Sequence, residues 1–356
     1  TVHVVGDALA HVIVRRRHNG RRVLIGPLVA VLAPLALGLG GAADALGASR
    51  TILVVGHGGE AVAQTAKDIA PDLEIVVQKE QLGTGHAVMQ ARETLRGFSG
   101  DVVVLFGDTP FIQAASLRTL IAARAQHDVV VLGFEAADPA RYGRLIMNGE
   151  SLQRIVEFKD ASEAERKITF CDSGIVAADA KTLFELLDAI DQNNASGEFY
   201  LTDIAEIANT KGLSATAVPC DEAETLGVNS RADLAAAEAT FQARARKEAL
   251  DNGVTLVAPD TVYFSKDTAL GRDVTVEPNV VFGPGVSVET GAVIRAFSHL
   301  EGCHVSRGAV VGPYARLRPG AELAENARIG NFVEIKNAEI AEGAKVNHLS
   351  YIGDAS

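Results

Sequence analysis

Four residues near the end of the chain have types that together can handle a charged substrate: Arg318, Lys336, His348 and Tyr351. They stand in "GPYARLRPGAEL", "NFVEIKN" and "NHLSYIGD", on a background of small aliphatic residues. Arg318 and Lys336 are eighteen positions apart. In a chain wound with that period they stack about 4.8 Å apart on one face. Two cations so close are costly unless an anion sits beside them, which points to a phosphate site; a solvated pair without a ligand is the plainer alternative. His348 follows a break in the repeat, so spacing alone does not place it. A second group lies upstream. Asp108 directly follows the apolar run of "DVVVLFGDTPFI", beside Gly107. A carboxylate there can hold a divalent metal against nucleotide phosphates, or simply cap a turn. "QLGTGHA" offers backbone donors at Gly83 and Thr84, close to which a ring or phosphate can approach. His86 in that stretch, and His57 in "GHGG", read as packed or supporting side chains rather than catalysts.

The elements that must position these residues are of two kinds. Towards the C-terminus, large apolar residues recur every six positions: Leu270, Val276, Phe282, Val288, Ile294, Leu300, then Val305, Val311, Leu317, Leu323, Ile329, Ile335, then Ile340, Val346, Ile352, with a five-residue step between groups. Two positions before each stands a smaller residue, such as Ala292, Ser298, Ala309 or Ala327. Neither a helix nor a flat strand repeats at six; a hexapeptide β-helix does. The large residue is expected to point into a triangular prism, and the small one to let the corner close. The pattern is still running at Ser356, and further coils are expected beyond it, since an open coil exposes strand edges.

From Thr51 to about residue 220, apolar runs ("TILVVGHGGE" ending in a glycine turn, "LEIVVQKE", "DVVVLFGDTPFI" ending in Gly-Asp, "HDVVVLGFEA") alternate with helical stretches such as "GTGHAVMQARETL". This predicts an α/β domain with a mixed, mostly parallel sheet and ligands beyond the carboxyl ends of its strands. "RADLAAAEATFQARARKEALDNG", Arg231 to Gly253, is alanine-rich without proline and reads as one helix stopped at Asn252-Gly253. The expected domains are thus residues 1–230, a helical linker 231–253, and a β-helix 254–356.

Composition narrows the function. A net charge of −12 argues against nucleic acid as partner. Cys171, Cys220 and Cys303 show no CxxC spacing, so neither a disulfide framework nor a zinc site is implied, and a reducing cytoplasm fits. The first fifty residues stand apart, with six Arg, two Asp and no Lys, Glu or aromatic residue. An uncharged run from Val23 to Ala43 follows "RRRHNGRR", but Pro27, Pro34 and four glycines interrupt it, so a buried βα region is expected rather than a membrane span.

In order along the chain, "VQKEQLGTGHAV", "LFGDTP", "YGRLI", "IVEFKD", "SGEFYLTDI" and "LGVNSR", then "RLRPG", "NFVEIK" and "HLSYIGD", resemble the bacterial bifunctional N-acetylglucosamine-1-phosphate uridylyltransferase/glucosamine-1-phosphate N-acetyltransferase family over about residues 51–356. The resemblance implies a Rossmann-like nucleotidyltransferase domain followed by a left-handed parallel β-helix that assembles as a homotrimer. It implies that Gln78, Gly83 and Thr84 contact uridine, and that Phe106, Gly107 and Asp108 form the next motif. Asp108 and Asn229 would bind Mg²⁺, and Gly143, Glu157 and Asp172 the N-acetylglucosamine part. Asp172 stands where the family usually has Asn, and a carboxylate cannot donate the amide N–H. In the second half, His348 would be the base that takes the amine proton, with Arg318 and Lys336 on the sugar phosphate and Tyr351 beside them.

The implied substrates are UTP, N-acetylglucosamine-1-phosphate, glucosamine-1-phosphate and acetyl-CoA, and the product is UDP-N-acetylglucosamine for cell-envelope polymers. Residues 1–50 lack the family's "LAAGxGTRM" and "PKVLH"; "RRVLI" echoes the second faintly, and "PLVAV" the stretch after it. A frame error or genuine divergence explains this, and either predicts weakened uridylyl transfer. Acetyl transfer is likewise expected to be weak without further coils. Two other readings stay open: another sugar-phosphate nucleotidyltransferase with a structural β-helix, and a non-catalytic sugar-nucleotide-binding remnant.

Overall fold

The computed structural model describes residues 10–16, 46–56, 59–228 and 230–355. His57, Asn229 and the segments 1–9 and 17–45, with the "RRVLI" and "PLVAV" echoes and the apolar run, lie outside the described residues. The chain divides into two compact units that meet between Asp233 and Leu234.

The first unit is built on strands β1 (Ala10–Arg16), β2 (Arg50–Val55), β3 (Glu74–Val77), β4 (Gly100–Phe106), β5 (Val129–Glu135), β6 (Arg144–Asn148), β7 (Ser151–Val156), β8 (Phe170–Asp179) and β9 (Ala215–Cys220). Along the main path of the sheet the order is β3-β2-β1-β4-β8-β5-β9, with the β6–β7 hairpin joined to β8. β2 and β3 pair in parallel, as do β5 and β9. β1 runs antiparallel between β2 and β4, and β8 antiparallel between β4 and β5. All the other strands on the path therefore point one way, as expected of a mixed, mostly parallel sheet. Within β4, Val102 and Val104 face one core and Val103 and Leu105 another; β5 divides in the same way, with Val129 and Val131 opposite Val130 and Leu132. That period of two, buried on both sides, is why these strands read as unbroken apolar runs.

Helices α1 (Glu60–Ile69), α2 (Thr84–Met89), α3 (Ala114–Ala123), α4 (Ala180–Leu187) and α5 (Ile204–Thr210) cover the sheet. α2, α4 and α5 supply one core, α3 the other. The helix expected over "GTGHAVMQARETL" is cut short. After Met89 the N–H groups of Gln90, Ala91 and Arg92 bond three residues back, and the chain continues as turns to Gly97, whose φ of 73° closes the segment.

In the second unit, helix α6 (Arg231–Asp251) ends where expected, with Gly253 at φ 88°. It lies on the first coils of a parallel β-helix: Gln242 exchanges two hydrogen bonds with the Phe264 backbone, at 2.8 and 2.9 Å, and Arg246 Nε donates to the Val262 carbonyl. The six-residue pattern forms the prism core. Val276, Ile294, Leu300, Val305, Val311, Leu317 and Ile335 have no exposure, nor do the small Ala292, Ala309, Ala321 and Ala327. After a first pairing at twenty residues, Thr255↔Thr275, coils pair in parallel at a spacing of eighteen or seventeen, as in Val281↔His299 and Ser287↔His304.

Each corner places one residue at positive φ. Two corner columns use Gly, Asn or Asp, which tolerate it. The third carries Phe297, Tyr314, Phe332 and Leu349 at φ 59°, 55°, 56° and 51°. The three rings stack, with centroids 4.9 and 5.1 Å apart, and all four side chains are exposed. No helix among the described residues is long and apolar enough to cross a membrane.

Candidate active sites

In the first unit, the residues read from separate motifs gather beyond one end of the sheet. Gln78 follows β3 and is almost fully buried; its Nε2 donates to the Gly83 carbonyl at 3.2 Å and meets His86 Nδ1 at 3.0 Å. Gln90 holds the other ring nitrogen of His86 at 3.1 Å, so His86 braces Gln78, the supporting role read from sequence. Gly83 has φ 111°, and a Cβ there would collide with the Phe199 carbonyl at 2.6 Å. The loop fits only because that position is glycine. Phe199 and Leu201 clamp it from outside: Phe199 N donates to Leu82 O, Gly85 N to Phe199 O, and Leu201 N to Thr84 Oγ1.

β4 delivers Phe106, Gly107 and Asp108. The Thr109 hydroxyl folds back on the Phe106 carbonyl at 3.0 Å and shapes the turn. Burial raises the Asp108 pKa, against a backbone hydrogen bond that lowers it. Val228 N donates to the Asp108 carbonyl at 2.8 Å; the next residue, Asn229, lies outside the described residues. No cluster of three or more metal-binding side chains occurs among the described residues. One half-buried carboxylate suits an ion that takes its other ligands from water and phosphate.

The sugar-side residues come from the β6–β7 hairpin and β8. Gly143 O accepts from Asp172 N at 2.9 Å, and a Cβ on Gly143 would press on the Asp172 side chain. Asp172 Oδ1 accepts from Gly174 N at 3.0 Å, and Thr202 Oγ1 donates to Glu157 Oε1 at 3.2 Å. Thr84, Phe106, Glu157, Asp172 and Thr202 line one cavity of about 80 Å³. Burial, with Glu157 nearby, pushes Asp172 up to about 7. Burial also raises Glu157 and, with several acidic neighbours, takes Asp203 to about 6. A carboxyl half protonated near neutrality does own a donor, which changes what the Asn-to-Asp difference implies.

Sequence reasoning missed four supporting residues here. Arg144, buried at 1% exposure, donates to the Ala140 and Arg166 carbonyls at 3.1 Å each, and to that of Tyr142, and so fixes the chain around Gly143. It sits inside "YGRLI", where a buried arginine is the detectable signal. Phe199, Thr202 and Asp203 all lie in "SGEFYLTDI".

In the second unit, register puts Arg316 opposite Glu334 and Lys336 opposite Gly353, so Arg318 and Lys336 share a column one coil apart, as their spacing predicts. Their charges are met within the chain. Arg318 Nη1 donates to Glu334 Oε1 at 2.9 Å and Lys336 Nζ to Asp354 Oδ2 at 3.1 Å. The stack alone therefore does not require a bound anion, which corrects the charge argument made from spacing. Asn337 and then Lys336 hold the Asp354 carboxyl below its usual range. Tyr351 pairs with Glu334, and its ring lies over Gly353, where a Cβ would collide with it. His348 pairs with Asn331 and is exposed. Leu349, at the aromatic corner, separates it from Tyr351. The residues thus occupy two faces that meet at that corner.

A MobA-like NTP transferase domain matches residues 38–191. The bifunctional protein GlmU of a Ruegeria species is 68% identical over 315 residues, which is 88% of this chain and 70% of that protein. The GlmU of Roseobacter denitrificans is 63% identical over 91% of this chain and 72% of its own length, and that of Sphingopyxis alaskensis 51% identical over the same shares. An alignment of 315 residues is longer than either unit, so the likeness spans both. With a sheet unit and a hexapeptide prism in one chain, in the order their motifs were read, the chain belongs to the bifunctional GlmU family.

Proposed function

We propose that the chain makes UDP-N-acetylglucosamine in two steps on two units: acetyl transfer on the prism, then uridylyl transfer on the sheet unit. The observation that carries this reading is the shared cavity of Thr84, Phe106, Glu157 and Asp172, residues from four separate stretches of the chain. In uridylyl transfer, a phosphate oxygen of N-acetylglucosamine-1-phosphate attacks the α-phosphorus of UTP in line, the bond to the bridging oxygen breaks, and pyrophosphate leaves. Gln78, Gly83 and Thr84 hold the uridine; Gly143, Glu157 and Asp172 hold the sugar. Phe106 and Gly107 shape the turn that aims Asp108. A magnesium ion held by Asp108 and Asn229 would neutralise phosphate charge when bound. The work of the chain is alignment, worth several powers of ten in rate.

On the prism, the amine of glucosamine-1-phosphate attacks the thioester carbonyl of acetyl-CoA. A C–N bond forms, the C–S bond breaks, and His348 takes the amine proton. Arg318 and Lys336 turn from Glu334 and Asp354 to the sugar phosphate, and Tyr351 flanks it. We place the protein in the cytoplasm. The free thiols of Cys171, Cys220 and Cys303 suit that compartment: burial pushes them up to about 11, 12 and 12, leaving them inert.

Separate assays on the full chain test the division of labour. His348→Ala should lower acetyl transfer by a factor of about 10² or more and leave pyrophosphate release from UTP unchanged. Asp108→Ala should do the reverse. A substitution that lowers both activities together would contradict it.

A further inference from the structure

Around Gln78, hydrogen bonds fix which end of a side-chain amide is left for a ligand. Gln78 Nε2 meets the Gly83 carbonyl at 3.2 Å and His86 Nδ1 at 3.0 Å. A carbonyl only accepts, so the amide turns its NH₂ to this side: one hydrogen goes to Gly83 O and the other to Nδ1. Nδ1 is then the bare nitrogen of the imidazole, and the ring proton sits on Nε2. Gln90 makes the opposite demand. Its Nε2 donates to the His86 carbonyl at 3.0 Å and also meets the ring Nε2 at 3.1 Å. A neutral imidazole has one lone-pair nitrogen and cannot accept from both amides. Burial decides between them. Gln78 is 3% exposed and Gln90 only half-buried, so Gln90 can turn its oxygen to the ring N–H and leave the His86 carbonyl to water. Gln78 has no such freedom, because turning it would set its oxygen against the Gly83 carbonyl. Phe199, stacked on the imidazole at 6.2 Å, holds the ring plane.

With both N–H groups of its amide used, Gln78 presents Oε1. That oxygen accepts no hydrogen bond among the described residues and is not one of their sealed, unpartnered polar atoms, so a ligand can reach it. An accepting oxygen discriminates between pyrimidines at the ring nitrogen. Uracil offers N3–H, a donor. Cytosine has a bare N3, whose lone pair would face Oε1. We propose that His86 is a positioning residue for base selection: by accepting from Gln78 through Nδ1 it holds the amide with Oε1 towards the nucleotide, and so favours uracil over cytosine. The inference rests on the assignment of Gln78 to the uridine. To suit cytosine the amide has to turn over, which breaks its bonds to Gly83 and His86 together. A site built to accept from a ring N–H rejects a ring without one for that reason. His86 itself touches no part of the substrate; it acts through Gln78.

The ratio of two affinities separates selection from folding, since a damaged loop weakens both nucleotides alike. The full chain, His86→Leu, His86→Asn and Gln78→Leu are titrated calorimetrically with UDP and CDP. The unaltered chain should bind UDP at least about twentyfold more tightly than CDP. His86→Leu, which removes the acceptor, should cut that preference at least about fivefold, roughly the worth of one hydrogen bond. His86→Asn, whose Oδ1 can stand near the place of Nδ1, should restore most of it. Gln78→Leu should weaken UDP at least about tenfold. If His86→Leu weakens UDP and CDP equally, or His86→Asn behaves as His86→Leu, or the unaltered chain does not distinguish the two nucleotides, the proposal fails while the assignment of Gln78 stands. If Gln78→Leu leaves UDP affinity as it was, or UDP does not bind the unaltered chain, that assignment fails and takes the proposal with it.

Discussion

Asp172 joins the binding site to stability. Burial, with Glu157 nearby, pushes its carboxyl from the usual carboxylate range up to about 7 in the fold. The folded state therefore holds a proton that the unfolded chain has released, and the unfolding free energy falls as pH rises between roughly 4 and 7. Asp172→Asn removes that loss. It should stabilise the first unit at about pH 8, by at most about 4 kcal/mol, and make no difference near pH 4. Thermal melts across that range check it, and an unchanged melting temperature at pH 8 would count against a buried, ionisable Asp172. None of this environment is visible in "CDSGI", because Glu157 and Gly143 reach Asp172 through pairing between distant strands. Likewise Glu334 and Asp354 lie sixteen and eighteen residues from Arg318 and Lys336. Those distances mean contact only once the coil is wound, which is why spacing revealed the cation stack and not its neutralising acids.

At the scale of elements, legibility followed how local the signal was. A period of six needs only neighbouring coils to be satisfied, and the residues it marked are the buried ones from Val276 to Ile340. The apolar runs of β2, β4 and β5 were equally plain. The short α2 was not, because Gln90–Gly97 keeps helical residue types while its hydrogen bonds shift to a tighter pattern. The pairing of β1 with β2 and β4 is a long-range property with no counterpart in composition. The prism itself should be sensitive at two kinds of position. Leu317→Ala, at an unexposed core site, should cost about 3 kcal/mol, mostly from the cavity left behind. Gly330→Ala should also destabilise despite its half-exposed position, since the added carbon meets the Asn347 carbonyl, which is backbone and cannot swing away. Gly343→Ala meets nothing nearby and carries only the strain of φ 64°, about 1 kcal/mol. Denaturant melts that rank these three otherwise would contradict the packing described.

For the whole molecule, the column of Phe297, Tyr314, Phe332 and Leu349 bears on assembly. Bulky residues held at positive φ cost about 1 kcal/mol each. Stacking returns about as much per ring pair, yet leaves four large apolar side chains exposed on one edge. We propose that this edge is covered by sister copies in a trimer. Tyr314→Ser with Phe332→Ser should then shift the sedimentation coefficient from trimer towards monomer, while far-UV circular dichroism stays the same. A protein that sediments as a monomer before any substitution would remove the idea.

The hexapeptide winding also has a mechanical reading. Each coil touches only the coils beside it, and after a first pairing that spans twenty residues the strand pairings between coils span seventeen or eighteen. Drawn out by force from one end, such a prism has no cooperative shell that must fail at once. It pays out one winding at a time, each releasing about 60 Å of contour at roughly 3.5 Å per residue. The stacked rings of the corner column act as stitches across successive windings, so extension should pause at Phe332, Tyr314 and Phe297 in turn.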